Sequence, residues 1–122
     1  MLKELATAIY YVEDMEQAKQ WLKQVFDIEP YFDEPSYAGY SVNGFEMGIM
    51  PRDTKRPMTY FTTSCYWRVA DIESALATFK SRGAELGEPI MDVGEGIKVG
   101  SIVDPFGNHF GVIENPHFSI SQ

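Results

Sequence analysis

The chain repeats itself. Laid on itself at an offset of 57 positions, YYVEDMEQAKQWLKQ falls on WRVADIESALATFKS. Val12 meets Val69, Asp14 meets Asp71, Glu16 meets Glu73, Ala18 meets Ala75 and Lys23 meets Lys80. The identities are few, but they surround one boundary in one order: an alternating run before the aspartate, a helical period after it. Two copies of one unit are therefore expected, each with a strand-to-helix junction as its landmark.

Asp14 is placed as an N-cap, because a short carboxylate accepts from the free amides of a first helical turn. Gln17 follows three residues later, at the capping-box spacing. Met15, Ala18, Leu22, Val25 and Phe26 then share one face of a helix. Asp71 caps the second copy, whose stripe is Ile72, Ala75, Leu76 and Phe79, and Gly83 ends it in the left-handed conformation. After the first helix come EPYFDE, YAGYSV and FEMGIM, separated by Pro35-Ser36 and by Asn43-Gly44, the strongest short hairpin signal. After the second come AELGEPIMDV, IKVGSIV and HFGVIE, with turns at Gly94-Glu95-Gly96 and Pro105-Phe106-Gly107-Asn108. Both copies read β-α-β-β-β. The charged, proline-bracketed PRDTKRP joins them as a linker. The expected organisation is a single α+β domain over residues 1–122, with module one at about 3–50, the linker at 51–58 and module two at about 59–115.

Composition narrows the classes of function. With 122 residues, 44% of them hydrophobic, the chain can bury roughly two-thirds of its unfolded surface without staples. A net charge of −8 argues against a polyphosphate partner, so no nucleic acid is expected. Cys65 is the single cysteine; it cannot form an internal disulfide, and a reducing compartment fits. No apolar run approaches the ~20 residues that span a bilayer, and the N-terminus lacks the apolar block of a signal peptide. The expectation is a cytoplasmic protein with no membrane partner.

Two βαβββ units of this size, Val-x-Asp at both junctions and Asp-Pro-x-Gly-Asn before the last strand (Asp104 to Asn108) resemble the vicinal oxygen chelate superfamily. This is the glyoxalase, bleomycin-resistance and extradiol-dioxygenase group, and the resemblance covers essentially the whole chain. It implies two curved sheets forming a paired half-barrel cleft, helices outside, and a homodimer. For metal-dependent members it implies up to four inward-facing ligand positions. Two lie five residues before the valine of each Val-x-Asp, here Thr7 and Ser64. A third lies on the last strand of module one, where Glu46 is the match. The fourth lies seven residues after the aspartate of Asp-Pro-x-Gly, here Gly111. Neutral hydroxyls bind divalent ions poorly and glycine offers no side chain, whereas zinc or oxygenase iron needs three or four protein ligands. His109 shares a strand face with Gly111, and His117 lies beyond Pro116, outside the strand. No metal or other cofactor is therefore expected at the usual place, and DPFGNHFG is read as an architectural turn.

Taking those positions as inward-facing, strand alternation puts Thr7, Ile9, Tyr11, Glu46, Gly48, Met50, Ser64, Tyr66, Arg68, His109, Gly111 and Ile113 on the cleft side. The opposite faces are apolar and should pack under the helices. The expected ligand-binding cleft comprises Thr7, Tyr11, Glu46, Ser64, Tyr66, Arg68 and His109, with no catalytic residue assigned. Plainer roles exist for each polar group: an ion pair between Glu46 and Arg68, a wall hydrogen bond for His109, filler for Tyr11 and Tyr66. A desolvated Glu46 without a partner would have a raised pKa and could serve as a base. Three functions follow. The first is a metal-free protein that binds a small aromatic or amphipathic molecule. The second is a metal-dependent lyase, isomerase or extradiol-type dioxygenase with a displaced site built on Glu46, His109 and a third group. The third is an interaction or regulatory subunit whose cleft is mostly filled.

Overall fold

The computed structural model describes residues 1, 3, 5–52 and 64–117, which fall into two compact units divided before Ser64. The fold is α+β. The first unit runs β1 (Thr7–Val12), α1 (Met15–Phe26), β2 (Phe32–Glu34), β3 (Tyr37–Val42) and β4 (Phe45–Pro51). Its sheet has the order β1-β4-β3-β2, with β1 parallel to β4 and the other pairs antiparallel. The second unit runs β5 (Tyr66–Arg68), α2 (Ile72–Ser81), β6 (Glu85–Leu86), β7 (Met91–Gly94), β8 (Ile97–Val103) and β9 (His109–Glu114). Its sheet has the order β5-β9-β8-β6, with β7 also paired to β8.

The landmark junctions form as their chemistry dictates. The Asp14 carboxylate accepts from the Gln17 amide at 3.0 Å, and Asp71 accepts from the Ser74 amide at 3.0 Å. Gly83 follows α2 at φ 101°. The tight β3–β4 hairpin has both Asn43 and Gly44 at positive φ, the backbone of a turn whose twist matches that of the flanking strands. The DPFGN segment is built around Asp104. Its buried carboxylate accepts from the Phe106 amide, the Asn108 amide and the Asn108 side chain at 2.7–2.9 Å. That network closes the turn into β9.

Two details depart from the sequence reading. AELGEPIMDV is not one strand: it breaks at Gly87-Glu88-Pro89 into β6 and β7, both against β8. Proline lacks the donor a ladder needs, and Ser101 takes over locally. Its amide donates to the Glu88 carbonyl, and its hydroxyl accepts from the Glu88 amide at 2.8 Å. In module one, Pro51 ends β4 opposite Val12 rather than opening the linker. The linker beyond Arg52 and the predicted start of module two lie outside the described residues.

Each sheet buries one face against its helix. In the first unit that core is Ala8, Tyr10 and Val12 of β1, Ala38 and Tyr40 of β3, Met47 and Ile49 of β4, and Ala18, Leu22 and Val25 of α1. In the second it is Ile72 and Leu76 of α2, Ala84, Ile102, Phe110 and Val112. Among the described residues no helix is long and apolar enough to cross a membrane. One core group is at odds with its surroundings. The Tyr40 hydroxyl is fully buried and has no hydrogen-bond partner among the described residues. Burial pushes its pKa up to about 12.

An unpaired buried hydroxyl costs about 1–3 kcal/mol. Tyr40→Phe keeps the ring and should leave stability unchanged or raise it by up to about 1 kcal/mol. Leu22→Ala, cut from the same core, should lose about 2–5 kcal/mol. Chemical denaturation of the two variants checks the contrast.

Candidate binding site on the helix-free sheet faces

The face of the first sheet turned away from α1 carries Thr7, Ile9 and Tyr11 from β1 and Glu46, Gly48 and Met50 from β4, as alternation requires. Strand β3 adds Tyr37, Gly39 and Ser41, because Gly39 lies opposite Gly48 and Ser41 opposite Glu46. Phe32 of β2 joins the row opposite Gly39. The two facing glycines leave a flat floor, and a tyrosine fills it. A Cβ at Gly48 would come within 2.5 Å of the Tyr37 ring and hydroxyl, and one at Gly39 within 2.8 Å of Glu46 Oε2.

Over this floor Glu46 is clamped. The Tyr31 hydroxyl donates to Oε1 at 2.5 Å, and the Tyr37 hydroxyl donates to Oε2. Thr7 stands beside them, its hydroxyl 3.4 Å from the Glu46 carbonyl oxygen. The hydrogen bonds from Tyr31 and then Tyr37 hold the Glu46 pKa below its ordinary 4.5, against a smaller opposing effect of desolvation. The condition under which Glu46 could act as a raised-pKa base is therefore not met. It has partners, both phenols of its own module, and is an ionised carboxylate at neutral pH. The phenols move the other way. Tyr31 is raised by its bond to Glu46, and Tyr37 by desolvation and then by Glu46, with Thr7 pulling it down. Both stay protonated donors. The group is suited to hold a ligand and poorly suited to remove a proton from one.

The second sheet repeats the frame with other fillings. Tyr66 lies opposite Gly111 just as Ile9 lies opposite Gly48, and Ile9 and Tyr66 are related by the repeat. Gly48 and Gly111 are thus equivalent positions. The residue of module one that matches Gly111 is Gly48; Glu46 sits one pleat earlier and matches His109. A side chain at Gly111 would collide with the Cys65 carbonyl oxygen and come within 2.7 Å of the Tyr66 ring. Each glycine is covered by a tyrosine ring: Tyr37 over Gly48, Tyr66 over Gly111. The four expected ligand positions then offer two hydroxyls, Thr7 and Ser64, one carboxylate, Glu46, already held by two phenols, and Gly111, where backbone leaves no room for a side chain. Such a set does not fit a divalent cation, which takes imidazole, carboxylate or several oxygens.

His109 is exposed at the start of β9, and its Nδ1 lies 3.1 Å from the Ser101 hydroxyl oxygen. Gly87 makes room for that pair, since a Cβ there would sit 2.5 Å from Ser101 Oγ and 2.9 Å from His109 Nδ1. Arg68 is exposed at the end of β5, Ser64 is exposed just before it, and Tyr11 is half-buried opposite Met50. The structure thus brings Thr7 and Glu46 together, and gives His109 a wall partner. Sequence reading missed Tyr31, Tyr37 and Ser101. The Asn43-Gly44 hairpin fixes the register of β3 on β4, so Tyr37 was within reach; Tyr31 precedes its strand and carries no periodic signal. An open depression of about 520 Å³ lies on the other side, between α1 and residues 28–33. Its charges are already matched, with Lys19 paired to Glu16 and Asp33, so the chemistry rests on the helix-free face.

Two outcomes follow. Gly48→Ala meets only the movable end of a side chain, so it should swing Tyr37 away at small cost in stability; Gly111→Ala meets backbone and should lower the thermal midpoint more. Because Glu46 has a depressed folded-state pKa, its clamp is fully present above pH 4.5 and is lost as pH falls through the folded value. The stability gap between wild type and Glu46→Gln should accordingly be widest near neutrality and close in acid, as denaturation at several pH values would record.

Residues 4–112 match the family model for the Glyoxalase/Bleomycin resistance protein/Dioxygenase superfamily. A search of curated proteins gave no match. Among solved structures, a glyoxalase-related enzyme from Fulvimarina pelagi superposes with a TM-score of 0.74 at 20% identity, covering 98% of this chain and 94% of that one. The fosfomycin resistance protein FosX from Listeria monocytogenes gives 0.73 at 17% identity, covering 96% and 97%. A bleomycin resistance determinant encoded on the transposon Tn5 gives 0.74 at 16% identity, covering 93% and 99%. At these identities the structures testify to the fold, and the family model, spanning nearly the whole sequence, to kinship: the chain belongs to the glyoxalase/bleomycin resistance/dioxygenase superfamily.

Proposed function

We propose that this chain is a metal-free member of its superfamily that binds a small aromatic or amphipathic molecule against the helix-free faces of its sheets. The observation that carries the reading is the pair Gly48 and Gly111, glycines at equivalent places in the repeat, each covered by a tyrosine ring and neither offering a side-chain donor. Rings, a clamped carboxylate and a few hydroxyls make a surface that holds ligands by shape and polar contact. Thr7, Tyr11, Glu46, Ser64, Tyr66, Arg68 and His109 remain the proposed contacts, joined by Tyr31 and Tyr37. The proposal extends to a homodimer in the cytoplasm.

The enzyme reading has one supporting observation: FosX from Listeria monocytogenes, of the same fold, has been solved with Mn(II) and sulfate. For this chain it would need Glu46 and His109 as donors. Glu46 is engaged by two phenols and His109 by Ser101, and among the described residues neither belongs to a group of three His, Cys, Asp or Glu side chains close enough to share an ion. We derive no metal-dependent step.

Elemental analysis of purified protein should find far less than one transition ion per chain, and divalent ions should leave the thermal midpoint unmoved. Near-stoichiometric metal that disappears in Glu46→Ala would establish the enzyme reading instead. Screening aromatic compounds by thermal shift should find ligands that raise the midpoint, as binding to the folded state requires.

A further inference from the structure

We infer that the helix-free face of module one selects an organic cation, an alkylated ammonium joined to an apolar body, and seats the charge between Glu46 and the rings of Tyr31, Phe32 and Tyr37. This deepens the binding reading above and rests on it.

The charge pattern comes first. Strands β1 to β4 contain no lysine, arginine or histidine, while this face of the sheet carries Glu34 and Glu46. Three flanking cations among the described residues are already paired: Lys19 with Glu16 and Asp33, Lys23 with Asp27 and Glu29, Arg52 with Glu13. Among the described residues Glu46 has two neutral phenol donors, and no basic residue lies on the strands of its sheet. Two hydrogen bonds fix its orientation without cancelling its charge.

The rings come second. Tyr31 is 66% exposed, Phe32 45% and Ile9 37%. Phe32 and Tyr37 stand with centroids 6.2 Å apart, tilted by 51°, and the Tyr31 ring is held beside them by its bond to Glu46. The negative faces of such rings attract a cation, most strongly where water is partly excluded. A hard metal ion such as Ca²⁺ gains little there, because it takes six or more oxygens and the rings add only two phenol hydroxyls already bonded to Glu46. An anion would meet two carboxylates on a protein of net charge −8. An alkylammonium satisfies both the carboxylate and the rings, and its apolar body covers Ile9.

The test uses three probes of one shape: phenethylammonium, 2-phenylethanol and phenylacetate, titrated into the whole chain with ¹⁵N-resolved NMR detection. Phenethylammonium should bind at least tenfold more tightly than the alcohol, and phenylacetate most weakly, with shifts centred on residues 31–39 and 46. Glu46→Gln should bring the ammonium and the alcohol within about twofold of each other. Glu85→Gln, which removes one charge from the other module, should leave the preference intact. Tyr31→Ala should weaken the ammonium several-fold with the carboxylate retained, and it keeps the test decisive if Glu46→Gln folds poorly. Equal affinity for ammonium and alcohol in wild type, or a preference surviving Glu46→Gln, would overturn the charge selection while leaving the binding reading standing. Failure of all three probes to shift this face would overturn both.

Discussion

A carboxylate shared by two phenols above a pair of glycines organises the first module. The contact is possible because Gly39 and Gly48 face each other across β3 and β4, so the Tyr37 ring can lie where two side chains would stand. With the ring in place, its hydroxyl reaches one oxygen of Glu46, and Tyr31 takes the other. Everything argued about function descends from that arrangement. It keeps Glu46 charged and oriented, it keeps the phenols protonated as donors, and it lays the Tyr37 ring over Gly48.

The second module shows that the frame and its filling are separable. The parallel pairing of first and last strand is the same, and Gly111 stands where Gly48 does, yet the ring above it is Tyr66 from β5 itself. His109, the counterpart of Glu46, turns to Ser101 instead of to phenols. The two copies thus share a backbone geometry while their side chains differ: one face is anionic, and the other carries Arg68 and His109 beside Glu85. Fold and chemistry part company here, as they do in other widely used folds.

Much of this was legible in the residues. The offset repeat located both helices, and their caps formed because aspartate at a strand-to-helix junction has few better partners than the next turn's amides. The apolar faces of the strands read correctly because alternation is enforced by the pleat. What was hidden was register. Alternation says which face Glu46 occupies, but only the ladder says that it pairs with Thr7 and that Gly48 is the partner of Gly111 in the repeat. Tyr31 was hidden for another reason: it lies in a bend before β2, where no period constrains a side chain. The break of AELGEPIMDV had its signal in Gly87 and Pro89, which the run of strand-like neighbours obscured.

The clamp itself can be measured. A ¹³C titration of the side-chain carboxyl carbons, with Glu46 assigned through its Gln variant, reports the protonation of that one group in the folded protein. The account predicts a midpoint below the ordinary 4.5 that climbs when Tyr37 is replaced by phenylalanine and climbs again when Tyr31 is. A Glu46 midpoint at or above the ordinary value, indifferent to both tyrosines, would mean the carboxylate is not held as described, and the case for a pre-oriented, metal-independent site would go with it.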